Sequence, residues 1–90
     1  MTVTVRYLAQ LKQAAGQSAE QVPVDGPCTI AEFIALLARR HGRLGSALLD
    51  AGGKVQRTLL IFVGEEQSAS DRLLCDGDEV TLMTPIAGGQ

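Results

Sequence analysis

The end of the chain holds the first residues that could do chemistry, because two adjacent glycines follow an apolar, strand-like run. Ala87-Gly88-Gly89-Gln90 comes directly after Pro85-Ile86. Glycine loses the most backbone freedom on folding, so a Gly-Gly pair is unfavourable inside a helix or strand. We expect a tail that reaches about 15 Å from Thr84 to Gly89 and offers little side-chain bulk to a narrow channel. A frayed terminus is the alternative that position alone supports.

The cysteines and the histidine predict neither a metal site nor an active site. Cys28 and Cys75 do not form a Cys-x-x-Cys pair, and His41 is the only histidine. Cys28 precedes a predicted helix start, where a thiol can become reactive, but we expect both cysteines to be small packed residues. No nucleophile is paired with a base in the pattern. We therefore expect a protein that is not an enzyme and that binds no metal or cofactor.

Composition limits the classes of protein further. The 90 residues are 46% hydrophobic and carry a formal net charge of −2, which suits one globular domain and argues against a nucleic-acid partner. No apolar run approaches the roughly 20 residues of a membrane helix. The alternating start, residues 1–6, lacks the apolar core of a signal peptide. We expect a cytoplasmic protein.

The first third of the chain predicts two strands. Residues 2–8 alternate, with Val3, Val5 and Tyr7 on one side, as in a strand with one buried face. Residues 13–17 are interpreted as a connection. Residues 20–25 alternate again, and Pro23 predicts an edge strand because proline cannot donate a hydrogen bond to a neighbouring strand.

The middle of the chain predicts one long helix and one short helix. Thr29 and Glu32 match a capping box, and the apolar stripe that follows has helical spacing; its members are Ile30, Phe33, Ile34 and Leu37. Arg39, Arg40 and His41 suit the last turn, so His41 is interpreted as a helix-end residue, and Gly42 as the stop. Leu44, Leu48 and Leu49 indicate the short helix.

The last third predicts two more strands and a turn. Residues 59–63 are apolar at every position, which is typical of a strand covered on both faces, whereas residues 80–83 alternate after the Asp76-Gly77-Asp78 turn. Leu73 and Leu74 are expected to pack in the core. The predicted order is strand, strand, helix, short helix, strand, strand.

One helix covers only one face of a sheet, and this predicts a docking surface. If Ile61, Val63 and Leu82 face the helix, Leu60, Phe62 and Met83 face away, and nothing in the sequence is left to cover them. An exposed apolar patch beside a tail suggests a partner surface. The acidic residues around it would steer a basic partner, with only Arg72 opposing them; they are Glu65, Glu66, Asp71, Asp76, Asp78 and Glu79.

The element order and the ending Asp76-Gly77-Asp78-Glu79-Val80-Thr81, followed by Pro85-Ile86-Ala87-Gly88-Gly89, resemble the ubiquitin-like sulfur carriers. That family includes the small subunit of molybdopterin synthase and the carrier of the thiamine pathway. The resemblance implies an α+β, β-grasp (ubiquitin-like) fold, a mixed sheet with one main helix across one face. It also implies a β-grasp domain over residues 1–86 and a tail over residues 87–90.

The resemblance implies that the carboxylate of Gly89 is the working group. In the family, a ubiquitin-activating-like enzyme adenylates this carboxylate with ATP, and a persulfide sulfur then replaces AMP to leave a thiocarboxylate. A biosynthetic enzyme accepts the sulfur. Gly88 and Ala87 would thread the channel of the activating enzyme, and Leu60, Phe62, Met83, Pro85 and Ile86 would dock on it.

The chain departs from the family pattern at Gln90, because members usually end at the second glycine. With Gln90 attached, Gly89 has no free carboxylate and cannot be activated. The resemblance to carriers with a short extension implies a processing site between Gly89 and Gln90, cut by a JAMM-type metalloprotease. The alternative is a chain that keeps Gln90 and is inert as a carrier.

Two other functions stay open on the sequence. One is a protein modifier joined through Gly89 to a lysine, and the other is a β-grasp interaction module that never uses its tail. The pathway also stays open among molybdopterin, thiamine, cysteine, methionine and siderophore-type metabolites. The chain length and the segment around residues 52–57 are closer to the molybdopterin and cysteine-pathway type.

Overall fold

The computed structural model describes residues 1–84, and residues 85–90 lie outside the described part. The strands, β1 to β5, are Thr2–Tyr7, Ala19–Pro23, Leu60–Val63, Glu66–Gln67 and Glu79–Met83. The α-helices, α1 to α3, are Gln10–Ala15, Ile30–Arg40 and Gly45–Leu48, and a short 3₁₀ helix covers Gly42–Leu44.

The strands form one mixed sheet in the order β2-β1-β5-β3-β4. The neighbouring strands β1 and β5 run parallel, whereas β2, β3 and β4 each pair antiparallel with their neighbours. Tyr7, the last residue of β1, pairs with Leu82 near the end of β5. Because the two strands are parallel, their C-terminal ends lie at the same end of the sheet. β5 ends at Met83, at this end of the sheet.

Helix α2 packs across one face of the sheet, as predicted. The Thr29 side chain accepts a hydrogen bond from Glu32 N, and Glu32 Oε1 accepts one from Thr29 N, so the capping box is formed. The predicted stripe of α2 is buried against the inner face of the sheet, which contributes Val3, Val5, Tyr7, Ile61, Val63, Val80 and Leu82. The sequence prediction of this layer is confirmed.

The second predicted strand lies at an edge of the sheet, also as predicted. Among the strands of residues 1–84, β2 has β1 as its only neighbour, and Pro23 is its last residue, opposite Thr2. A proline at this position removes no hydrogen bond from the centre of the sheet.

The connection predicted at residues 13–17 is wrong, because most of it belongs to α1. Leu11 is buried, and Ala14 and Ala15 pack partly against the core. This i, i+3, i+4 spacing holds a short helix by tertiary contact. Gly16 ends α1 in the left-handed region at φ 77°, where glycine carries no steric cost.

Gly42 is not the residue that ends α2, which is a second correction. The helix ends at Arg40, His41 is extended, and Gly42 begins the 3₁₀ helix. Glu20 on β2 explains the early end. Its carboxylate accepts hydrogen bonds from His41 Nε2, from the Tyr7 hydroxyl at 2.7 Å and from Arg40 Nε at 3.3 Å. His41 also packs edge-on against the Tyr7 ring.

The Glu20 cluster (Tyr7, Glu20, Arg40 and His41) ties the edge strand to the end of α2. Burial alone raises the pKa of Glu20, but the hydrogen bonds from Tyr7, His41 and Arg40 outweigh it and hold that pKa below its ordinary value of about 4.5. Burial, reinforced by Glu20, raises the pKa of Tyr7 far above its ordinary value. The Tyr7 hydroxyl therefore stays protonated and donates.

Glu20→Gln is expected to lower the free energy of unfolding by about 1–3 kcal/mol near neutral pH, because hydrogen bonds to a charged group are lost. Since the folded-state pKa of Glu20 is lowered, its stabilisation is complete above the ordinary pKa of about 4.5 and is lost as the pH falls through the lowered value. Urea unfolding of both proteins at roughly pH 6 and pH 3 measures this. An equal difference at both pH values would contradict the ionic role of Glu20.

Two further expectations fail in the segment before β5. Leu74 is buried, but Leu73 is 62% exposed, and Cys75 is exposed instead of packed. Leu73 forms an isolated antiparallel bridge with Thr29, and Leu74 N donates to Cys28 O. In such extended pairing, alternate side chains point to opposite sides. Leu74 takes the inward position, so its two neighbours face solvent.

Candidate docking site

The outer face of the sheet, opposite α2, carries a half-buried apolar surface. Along β3, Ile61 and Val63 are buried whereas Leu60 and Phe62 are only partly buried. The expectation that this strand is covered on both faces is therefore wrong, since α2 covers one face only. Leu60 pairs with Met83 across the antiparallel ladder, so their side chains share the outer face.

The structure adds Leu8 to this surface. Tyr7 pairs with Leu82 in the parallel ladder, and Leu8 N donates to Leu82 O at 3.1 Å. The next residues along the two strands, Leu8 and Met83, are therefore level with each other at the end of the sheet where β1 and β5 both finish. Leu8 is 40% exposed. We call Leu8, Leu60, Phe62 and Met83 the outer patch.

Leu8 was not among the residues predicted for this surface, although the alternation of residues 2–8 puts it on the outer side of the first strand. That pattern was the only available signal. Proximity to Met83 depends on the parallel pairing of β1 with β5, which joins residues some 75 positions apart in the chain. No local pattern encodes such a pairing.

The acidic surroundings of the patch are less free than the sequence suggested. Glu79 is paired with Arg6, whose Nε lies 3.0 Å from Glu79 Oε2. Asp76 Oδ1 accepts from Thr2 N at 2.7 Å, and Asp78 Oδ2 accepts from Cys75 N at 2.8 Å. Arg72 is thus not the only opposing cation, and three of the six acids have structural roles.

The Asp76-Gly77-Asp78 turn aligns β5 with β1. Gly77 has φ 86°, which favours glycine, and its N–H donates to Thr2 O at 2.8 Å. Thr4 N donates to Asp78 O at 2.9 Å, directly before the parallel pairing begins. This turn therefore directs β5 along β1 toward the end of the sheet where the outer patch lies.

The tail residues of the predicted site lie outside the described residues. They are Pro85, Ile86, Ala87, Gly88, Gly89 and Gln90. Their roles in docking, threading, activation and processing, and the domain boundary after residue 86, stay predictions. The described chain reaches Thr84, one residue past the end of β5.

Other kinds of site are not formed by the part of the chain that is described. Within residues 1–84, no three His, Cys, Asp or Glu side chains are grouped to hold a metal ion. Burial, with a contribution from the nearby charge of Glu32, raises the pKa of the Cys28 thiol, the opposite of an activated cysteine. None of the helices within this range is long and apolar enough to cross a membrane.

Comparison with known proteins gives consistent results. The family model described as the ThiS family matches residues 5–89. The molybdopterin synthase sulfur carrier subunit of Escherichia coli is 33% identical, over 97% of this chain and 99% of the relative. Small archaeal modifier protein 1 of Haloferax volcanii is 27% identical, over 93% of this chain and 97% of the relative.

The fold agrees with a solved structure of this group. The crystal structure of SAMP1 from Haloferax volcanii superposes with a TM-score of 0.90 at 26% identity, covering 99% of this chain and all of that one. The predicted β-grasp fold is confirmed by this match. The chain therefore belongs to the ThiS family, a family of small ubiquitin-like sulfur carriers and modifiers.

Proposed function

We propose that this chain is a sulfur carrier whose Gly89, once Gln90 has been removed, is adenylated and converted to a thiocarboxylate. One observation carries the proposal: the family match runs through the Gly88-Gly89 pair and stops at Gly89, one residue before Gln90. The relative named as a sulfur carrier subunit supports the same assignment.

The chemistry explains why an activating enzyme is required. A C-terminal carboxylate has a pKa of about 3.5 and is ionised at neutral pH, so it is a poor electrophile. Attack of its oxygen on the α-phosphorus of ATP releases pyrophosphate and forms an acyl adenylate. The terminal sulfur of a persulfide then displaces AMP, and a thiol reduces the resulting acyl disulfide to the thiocarboxylate. ATP is used by the partner enzyme and is not a cofactor of this chain.

Docking energy must come from the folded domain. Ordering each tail residue costs about 1–2 kcal/mol of backbone entropy, and glycines offer no side chain to offset it. The outer patch is suited to supply this energy, because its members are apolar, partly exposed and located near the C-terminal end of β5. The proposed partners are a ubiquitin-activating-like adenylating enzyme, a sulfur-accepting biosynthetic enzyme and a JAMM-type metalloprotease.

Phe62→Asp is expected to weaken binding to the adenylating enzyme while leaving the isolated domain folded. Phe62 is the aromatic member of the outer patch, and buried aromatic anchors at interfaces are worth about 2 kcal/mol or more, which is roughly 30-fold in Kd. The introduced charge faces solvent in the free protein. Calorimetric titration and thermal unfolding measure the two effects separately.

Gln21→Asp is the matched control, because Gln21 lies on the outer face but three strands away from Phe62, on β2, and its substitution adds the same charge. It is expected to bind as the unsubstituted chain does. If Phe62→Asp unfolds the domain instead of weakening binding, Phe62 is a core residue and the outer patch is not a docking surface.

A modifier function is the second candidate, and the two relatives differ on this point. One is named a sulfur carrier subunit and the other a small archaeal modifier protein. Both functions need an activated Gly89. Isopeptide conjugates between Gly89 and lysines of cellular proteins would favour the modifier function.

The intact mass of the protein purified from its native cell tests the carrier function. The expected mass lacks Gln90 and shows one oxygen replaced by sulfur. A population that retains Gln90 under conditions where the pathway is active would contradict the proposal. Full function after deletion of residues 88–90 would instead favour an interaction module.

A further inference from the structure

We propose that Arg6 is a specificity-determining residue of the outer face and binds a carboxylate of the docking partner. The inference rests on the proposed docking through the outer patch. It identifies the chemistry of the partner surface: an apolar contact opposite Phe62 and an Asp or Glu side chain opposite Arg6. The partner to which it applies is the adenylating enzyme.

The strand register places Arg6 beside the patch. Arg6 pairs with Thr81 across the parallel ladder, and Thr81 pairs with Phe62 across the antiparallel ladder. Since neighbouring strands are about 4.8 Å apart, Arg6 and Phe62 are separated by about 10 Å on the same face. A single partner surface can therefore contact both residues.

Glu79 orients the Arg6 guanidinium but accepts a hydrogen bond from only one of its three nitrogens. Arg6 Nε lies 3.0 Å from Glu79 Oε2, and this is the only side-chain hydrogen bond of Arg6 within residues 1–84. The two terminal nitrogens are left as donors for a partner. A guanidinium binds a carboxylate through two parallel N–H donors, a geometry that a lysine ammonium does not offer.

The Arg6–Glu79 pair has little to contribute to folding. The two side chains are 57% and 44% exposed, and exposed ion pairs of this kind contribute at most about 1 kcal/mol to stability. The acidic residues on the next strand are Glu79 and, one position before β5, Asp78. Arg6 is thus an exposed cation that an acidic partner group can reach.

The experiment measures Kd for the adenylating enzyme of the same organism by calorimetric titration. Arg6→Gln is expected to raise Kd about tenfold, as for loss of a charge-assisted hydrogen bond. Arg6→Lys, which keeps the charge and loses the planar donor pair, is expected to raise it a few-fold. Arg39→Gln removes an equal charge from the exposed end of α2, on the other side of the sheet, and is expected to leave Kd unchanged.

A charge swap separates recognition from a structural role. Arg6→Glu combined with Glu79→Arg restores an ion pair on the same two strands but moves the cation from β1 to β5. If a carboxylate of the partner binds Arg6, the swap does not restore binding. Restored binding, or unchanged Kd in Arg6→Gln, would overturn the inference. Phe62→Asp distinguishes the failures, because unchanged Kd in that variant would instead overturn the proposed docking.

Discussion

A chain shortened to end at Gly89 is expected to accept AMP from ATP in the presence of its adenylating enzyme, whereas the full-length chain is not. The physical reason is that Gly89 carries a free carboxylate only after the amide bond to Gln90 has been cut. After a persulfide donor and a thiol reductant are added, the shortened chain should gain the mass of one sulfur-for-oxygen exchange. Intact mass spectrometry follows both steps.

Gly89→Ala in the shortened chain tests whether the terminal residue must lack a side chain. A methyl group at this position would displace the carboxylate within a narrow channel, and a misplacement of about 1 Å can cost roughly a hundredfold in rate.

Incubating the full-length chain with the protease should restore adenylation. Equal adenylation of uncleaved and shortened chains would contradict the processing step, and no adenylation of either would contradict the carrier function.

Phe33→Ala is expected to lower the free energy of unfolding by about 3–5 kcal/mol. Phe33 is 1% exposed and lies in the buried stripe of α2, so its truncation leaves a cavity between helix and sheet. The total stability expected for a domain of this size is on the order of 5–10 kcal/mol, so the variant should lose a large share of it. Urea unfolding monitored by circular dichroism measures the change.

Arg39→Ala is the matched control on the same helix, because Arg39 is exposed in the last turn of α2. A substitution at such a position usually changes stability by less than about 0.5 kcal/mol. If Phe33→Ala unfolds at the same urea concentration as the unsubstituted chain, the packing of α2 on the sheet is not as the structure describes.

The sequence by itself determined the elements whose signals are local. The capping box and the four-residue stripe of α2 require only neighbours within two turns of helix, and both are present in the structure. The edge position of β2 followed from Pro23, whose missing N–H is independent of the rest of the fold. The outward placement of Leu60, Phe62 and Met83 followed from the opposite directions of successive side chains along a strand and from the single main helix, which covers one face of the sheet.

Only the tertiary structure decided the features that depend on pairing between distant residues. The end of α2 at Arg40 results from hydrogen bonds to Glu20 on β2. Helix α1 forms because Leu11 packs in the core. The parallel pairing of β1 with β5 brings Leu8 to Met83 and Arg6 to Glu79. Local propensity carries no information about which strands become neighbours, because that choice minimises exposed apolar area over the whole chain.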